Sequence, residues 1–299
     1  MAEKLSFTVP SDCDGMTAKW FLKSRCGLST RMITRLKREK DGILMNGKIL
    51  RTIDPVTAEA AIVVSLPEED FSFIEPREGE LDIVFEDSHL LVVNKPPYMP
   101  VHPAKQHQTD TMANIAVWYA AQKGESYVFR THNRLDRNTS GLVLIAKDKY
   151  SVNLLKNKVR KTYLALVHGQ PEEEGTVDAP IGLRDDSKIV RCVRSDGSPS
   201  VTHYKTLCRA EEYSLVSLWL ETGRTHQIRC HMSFIGHPLL GDDLYGGSLE
   251  LIPRQALHCA SLRFTHPVTG EELDLKAPLP QDMRELTDRM KKGAVKKRS

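Results

Sequence analysis

The stretch Thr131-His132-Asn133-Arg134-Leu135-Asp136-Arg137-Asn138-Thr139-Ser140-Gly141-Leu142 sets a carboxylate between two guanidinium groups and runs directly into the apolar segment Val143-Leu144-Ile145-Ala146. Asn, Asp, Thr, Ser and Gly are turn formers, and the apolar run behind them reads as a buried strand. Asp136 is therefore expected at the lip of a rigid sheet, where loops carry reactive side chains. Taken alone, an Asp in such a run serves equally well to satisfy turn amides. The rest of the chain has to decide.

Two further segments follow in order, Lys161-Thr162-Tyr163-Leu164-Ala165-Leu166-Val167 and Thr222-Gly223-Arg224-Thr225-His226-Gln227-Ile228-Arg229. Together the three resemble the signature segments of the RluA-type pseudouridine synthases, the first of which has the form H-R-L-D-x-x-T-S-G with a catalytic Asp. Arg134, Leu135, Asp136, Thr139, Ser140 and Gly141 match that form; the family's histidine position holds Asn133, with His132 one residue earlier. The resemblance implies an enzyme that detaches uracil from its ribose, turns it, and rejoins it through carbon. Nothing is oxidised and no group is supplied from outside, so no cofactor is required.

By that resemblance Asp136 is the catalytic carboxylate, acting either as a nucleophile on the sugar or as a base toward a sugar proton. A carboxylate enclosed in a pocket is pushed toward its neutral form, and a fixed guanidinium opposite resists this. Arg224 matches the family's arginine for that pairing, and a planar fork orients a carboxylate better than a lysine does. Tyr163 matches the family's tyrosine, its ring suited to stacking on the extruded base and its hydroxyl to the last proton transfer. Arg134 resembles the arginine that fills the gap left in the RNA stack. His226, Gln227 and Arg229 are expected to line the floor of the cleft or touch phosphates.

Charge is unevenly distributed. Residues 17 to 51 carry ten Lys or Arg against two acids, whereas residues 55 to 87 carry ten Asp or Glu against one Arg. Such asymmetry points to a polyanion partner for the first part. A helix is predicted from Thr17 to Cys26, and a second from an N-cap at Ser29 or Thr30 to near Gly42, with Arg31, Arg35 and Arg38 on one face. Asn46-Gly47 then marks a hairpin turn between short apolar strands. This helix, helix, hairpin order resembles the S-four RNA-binding domain, although Asp54-Pro55-Val56-Thr57-Ala58 departs from that family's closing turn. RNA contact by Arg31, Arg35 and Arg38 is what the resemblance implies.

An acidic run punctuated by Pro and Gly, residues 67 to 80, reads as a linker. The expected organisation is an S-four-like domain over 1–70, a linker over 71–80, a catalytic domain over 81–288 and a basic tail over 289–299. That tail, with six Lys or Arg and no acid, is expected to fray. Strands are predicted at 81–87, 90–95, 142–147, 162–168, 201–208, 213–221 and 257–264, a helix at 111–122, and a hairpin turn at His266 to Gly270. Runs of strands with few helices between them indicate an α+β domain on a mixed, largely antiparallel sheet with flanking helices.

The six cysteines are scattered without a C-x-x-C pair, which argues against a disulfide framework or a zinc site. His226, Cys230 and His231 fit no common metal-ligand spacing. The opening Met1-Ala2-Glu3-Lys4-Leu5 has no apolar signal segment, and no run suffices for a membrane span, so a cytoplasmic protein is expected, a monomer with no obligatory protein partner. RNA, ribosomal or transfer, is the expected partner. Two other readings are weighed. A non-catalytic RNA-binding or ribosome-assembly protein has no need of Asp136, Tyr163 and Arg224 together, and a zinc deaminase would carry H-x-E with P-C-x-x-C.

Overall fold

The computed structural model describes residues 4–66, 74–104, 106–125 and 128–296. Of the predicted linker, residues 67–73 lie outside the described residues, as do 297–299 of the tail.

The first unit begins with β1 (Lys4–Thr8), followed by α1 (Ala18–Ser24), α2 (Thr30–Leu36), β2 (Ile43–Met45), β3 (Lys48–Ile49) and β4 (Ala61–Ser65). Side-chain oxygens of Thr17 and Ser29 accept the Trp20 and Met32 amides and so start both helices. Asn46 and Gly47 turn the hairpin with φ of 48° and 79°, the left-handed pair such a turn needs. The strands form an antiparallel sheet in the order β1, β4, β2, β3. The second helix ends at Leu36, short of Gly42, because the chain turns back there and Gly42 packs against the Leu36 carbonyl, where a Cβ would lie 2.0 Å from the oxygen. Arg38 thus stands just beyond the helix that carries Arg31 and Arg35. Neither β1 nor β4 was predicted; both are five residues long.

The larger unit opens with β5 (Ile83–Glu86), β6 (Leu90–Lys95), α3 (Met112–Gln122), β7 (Arg130–Thr131), β8 (Ser140–Ala146), α4 (Lys149–Leu155) and β9 (Arg160–His168). It continues through β10 (Glu174–Asp178), β11 (Ile181–Leu183), β12 (Arg191–Val193), β13 (Val201–Arg209), β14 (Tyr213–Leu220) and α5 (Gln227–Phe234). The closing elements are β15 (Leu257–Thr265), β16 (Glu272–Lys276) and α6 (Gln281–Lys296). The main sheet has the order β10, β13, β14, β9, β15, β8, β6, β5, with β16 on β15 and β7 on β8. It is mixed and largely antiparallel, as predicted, and β15 with β8 is its parallel pair. Every residue of β8 is buried, as the apolar run implied. At its start, Gly141 takes φ of 111° and approaches β15 so closely that a Cβ would lie 2.3 Å from the Cys259 carbonyl oxygen.

The two units have separate cores and are joined through α4. Tyr150 of α4 is buried among Phe21, Leu22 and Leu36 of the first unit, with its ring 6.2 Å from that of Phe7. Asn153, three residues on, donates to the Gly27 carbonyl at 2.8 Å. The basic tail departs from expectation: it is helical to Lys296, because Met283, Leu286 and Met290 recur on one face of α6 and bury against Leu166, Leu240 and Ile252. No helix among the described residues is long and apolar enough to cross a membrane.

Candidate active site

Asp136 sits in the turn between β7 and β8, with its carbonyl accepting the Thr139 amide at 3.0 Å. Buried side chains hold this turn from beneath. The Lys95 ammonium donates to the carbonyls of Pro96 at 2.8 Å, Met99 at 2.9 Å and Arg137 at 3.1 Å. Arg254 donates to the Asn138 carbonyl at 3.0 Å and is itself fixed by two bonds to Asp282 of α6, at 2.6 and 2.9 Å. Gln255 reaches Thr139 Oγ1 at 3.3 Å, and Ser140 Oγ meets His258 Nδ1 at 3.0 Å. Burial lowers the Lys95 pKa to about 7, with the Arg254 charge adding to this and Asp136 opposing it.

Asn133, at the family's histidine position, is a backbone latch. Its Nδ2 donates to the Leu142 carbonyl at 2.9 Å and its Oδ1 accepts the Leu144 amide at 3.0 Å. The side chain thereby extends the β7 ladder along β8, after His132 N has bonded Leu144 O at 2.8 Å. His132 turns toward the outer cleft, and burial takes its pKa down to about 4, with Lys161 adding to the shift.

The cation against Asp136 is Arg229, not Arg224. Arg229 Nη1 donates to Asp136 Oδ2 at 3.0 Å, while its Nε and Nη2 form a fork on Asp242 at 2.7 Å each. Burial works against the charge on Arg229, but the hydrogen bonds and charge of Asp242, with Asp136 behind them, hold its pKa above the ordinary arginine value. Its guanidinium also lies over the Tyr245 ring, 4.9 Å from the centroid. Arg224 is exposed at the rim, where its Nε reaches the Pro199 carbonyl at 3.3 Å. The reason is local. His226 takes a left-handed φ of 58° and starts α5, so Arg229 enters on the first helical turn while Arg224 is left in the loop before it.

His226 reaches the same carboxylate, with Nε2 3.6 Å from Asp136 Oδ2 and Nδ1 2.9 Å from the Tyr245 hydroxyl. Burial lowers its pKa, and the Asp136 charge opposes that shift. Gln227 lines the hollow, as expected, but its amide is committed to the protein. Its Oε1 accepts from Thr222 Oγ1 and the Arg224 amide, both at 2.9 Å, and its Nε2 donates to the Val201 carbonyl at 2.9 Å. These bonds mould the loop that forms this wall of the hollow. His231 is likewise committed, to Thr202 Oγ1 and the Ala179 carbonyl, each at 2.9 Å.

Tyr163 of β9 faces the same hollow, in register with Leu218 on one side and Cys259 on the other. Burial first, then the neighbouring Cys259 and Asp136, raises its pKa well above that of a free phenol, so its hydroxyl keeps its proton. Arg134, Leu135, Asp136, Tyr163, Arg224 and Arg229 all line this hollow. Leu220 lines it too, and also lines a second, far larger cleft of about 2100 Å³ between the two units. Arg31, Arg35 and Arg38 of the first unit line this cleft together with Lys156, Lys158 and Arg160 of the second.

The sequence-predicted residues thus divide. Asp136, Tyr163, Arg134, His226 and Arg229 converge on one hollow with Arg224 at its edge, Gln227 lines it with its amide bonded to the protein, and the three N-terminal arginines belong to the adjoining cleft. Sequence reasoning missed Asp242, Lys95, Arg254 and Asp282. Their only mark is a charged residue in an apolar or turn context, which spacing alone does not link to Asp136.

A family model for RNA pseudouridylate synthase matches residues 89–234. The uncharacterized RNA pseudouridine synthase YjbO of Bacillus subtilis is 42% identical over 281 residues, covering 91% of this chain and 98% of that protein. The Ribosomal large subunit pseudouridine synthase D of Zymomonas mobilis is 38% identical over 281 residues, covering 84% of this chain and 89% of that one. Among solved structures, Human RNA Pseudouridylate Synthase Domain Containing 4 superposes with a TM-score of 0.57 at 28% identity, over 70% of this chain and 92% of that one. A shared fold, a carboxylate paired to a buried arginine beside a tyrosine, and relatives matched over nearly their whole length lead to one conclusion: the chain belongs to the RNA pseudouridine synthase family.

Proposed function

We propose that the protein converts particular uridines of structured RNA to pseudouridine without a cofactor, with Asp136 acting at the ribose of a nucleotide swung out of its helix into the hollow. The observation that carries this reading is the 3.0 Å bond from the buried Arg229 to Asp136, a charge-assisted contact that fixes where the carboxylate points. The bond from uracil N1 to the sugar C1′ breaks, the base turns, and its C5 bonds to C1′. N1 takes up a proton and the C5 proton then leaves, so that the product is an isomer of the uridine. Tyr163, held as a neutral phenol beside Asp136, is suited to stack on the loose base and to relay that proton. Arg134, exposed at the mouth, is suited to fill the gap in the RNA stack.

The substrate class best supported is ribosomal RNA, since several relatives are named Ribosomal large subunit pseudouridine synthase D. The basic first unit, S-four-like in its helix and hairpin order, supplies phosphate contacts through Arg31, Arg35 and Arg38. The enzyme works as a cytoplasmic monomer with no obligatory protein partner. The test is Asp136→Asn on transcribed ribosomal RNA, with pseudouridine mapped by base-resolved sequencing. Turnover should vanish while RNA affinity is retained; isomerisation that survives the substitution overturns the assignment.

A further inference from the structure

Trp219 lies near the end of β14, opposite His203 of β13 and Thr162 of β9. Its indole stacks on the His203 imidazole, with ring centroids 5.3 Å apart and 17° between the planes. The imidazole is pinned in turn: its Nε2 lies 2.8 Å from Glu221 Oε1 and its Nδ1 2.8 Å from Thr176 Oγ1. Trp219 is nonetheless 44% exposed and belongs to none of the hydrophobic cores. A large aromatic ring is thus held in a fixed plane on the surface of the sheet, contributing little to the interior.

Its surroundings indicate what covers it. Trp219 lines the cleft between the two units together with Arg31, Arg35, Lys158 and Lys161. The acid nearest in sequence, Glu221, is turned onto His203. Leu220, the next residue, lines both this cleft and the hollow that holds Asp136. A flat apolar ring among cations matches a polyanion that carries aromatic faces, which is the chemistry of an unpaired nucleic-acid strand.

We propose that Trp219, backed by His203, is a stacking platform for an unpaired nucleobase of the bound RNA, distinct from the nucleotide that enters the hollow. The proposal rests on RNA being the ligand of this cleft, and it extends that reading by making part of the recognised RNA single-stranded.

The experiment measures binding of end-labelled oligouridylate and of a fully paired poly(A)·poly(U) duplex to the full chain at low salt. Trp219→Ala should weaken oligouridylate binding about tenfold, in keeping with the loss of one base–aromatic stack. Trp219→Phe should restore most of the affinity. The salt slope should not change, because no phosphate contact is removed, and duplex affinity should be unaffected. In a protein carrying Trp20→Phe and Trp118→Phe, oligouridylate should quench the emission of Trp219, a signal independent of any loss of fold at position 219. Unaltered oligouridylate affinity in Trp219→Ala, an equal loss for the duplex, unquenched emission, or no oligouridylate binding by the unsubstituted protein each overturns the proposal. None of these readouts needs turnover. A protein that bound in this way yet made no pseudouridine would sink the catalytic reading and leave the platform standing.

Discussion

Arg229 is shared between two carboxylates, with one terminal nitrogen on Asp136 at 3.0 Å and the rest of its fork on Asp242 at 2.7 Å. The Asp242 side chain is fully buried, so the guanidinium has a fixed orientation before any substrate arrives. A lysine could neutralise one of the two acids but could not hold both at these angles.

Arg229→Lys should therefore lower kcat for pseudouridine formation by roughly 10²-fold or more, the scale of losing a preorganised charged contact. Arg224→Ala, at the exposed rim, should act mainly on KM. Release of tritium from RNA labelled at uridine C5 measures both. A kcat loss for Arg224→Ala as deep as that for Arg229→Lys would assign the pairing to the wrong arginine.

Asn133→Ala removes two buried bonds and leaves the Leu142 carbonyl and Leu144 amide without their partner. The expected cost is about 1–3 kcal/mol of stability for each group stranded in the interior. Urea unfolding should show a lower midpoint with an unchanged slope, and an unshifted midpoint would count against the latch.

Arg254 ties the carbonyl two residues beyond Asp136 to the last helix through Asp282. Arg254→Met should reduce kcat while leaving KM for RNA nearly unchanged, since the side chain is buried beneath the turn and not in either opening. Asp282→Asn should do the same more weakly. A rise in KM with kcat preserved would make Arg254 a contributor to binding instead.

His258 is buried as a neutral ring between Ser140 and the Ala277 carbonyl, and burial takes its pKa down to about 4. The unfolded chain holds this proton up to an ordinary histidine pKa near 6.5, so between about pH 6.5 and 4 the unfolded state binds more protons. Stability should fall as pH drops through that window, by up to roughly 3 kcal/mol from this group. His258→Gln should flatten the acid limb of a plot of unfolding free energy against pH. An identical limb in both proteins would locate the titration elsewhere.

Most strands of the main sheet were legible because their apolar residues run continuously or alternate, and Asn46-Gly47 announced its hairpin, but the two-residue β7 and the polar edge strand β10, with one buried residue, carry no such pattern and were not predicted. α5 was not. Gln227, Arg229 and His231 are buried there through bonds to Val201, Asp242 and Thr202 outside the helix, so the helix lacks the apolar stripe that betrays a helix in sequence. The short α4 depends on the Asp148 cap and on the burial of Tyr150 in another unit's core, which no local pattern discloses. Asp136 and Tyr163 could be found from their motifs. The choice between Arg224 and Arg229 could not, because it turns on one left-handed backbone conformation at His226 and on an acid thirteen residues further along.

Tyr150, seated in the smaller unit's core, pins the helix that follows β8, the strand into which Asp136 leads, to the unit that carries the arginine ridge, and on the proposed reading this sets that ridge relative to the reaction centre. An RNA that touches both can present its uridine only at a set offset from the helix or loop it docks. On the proposed reading the molecule works as a calliper, selecting its target by distance along a folded RNA as much as by the bases beside it.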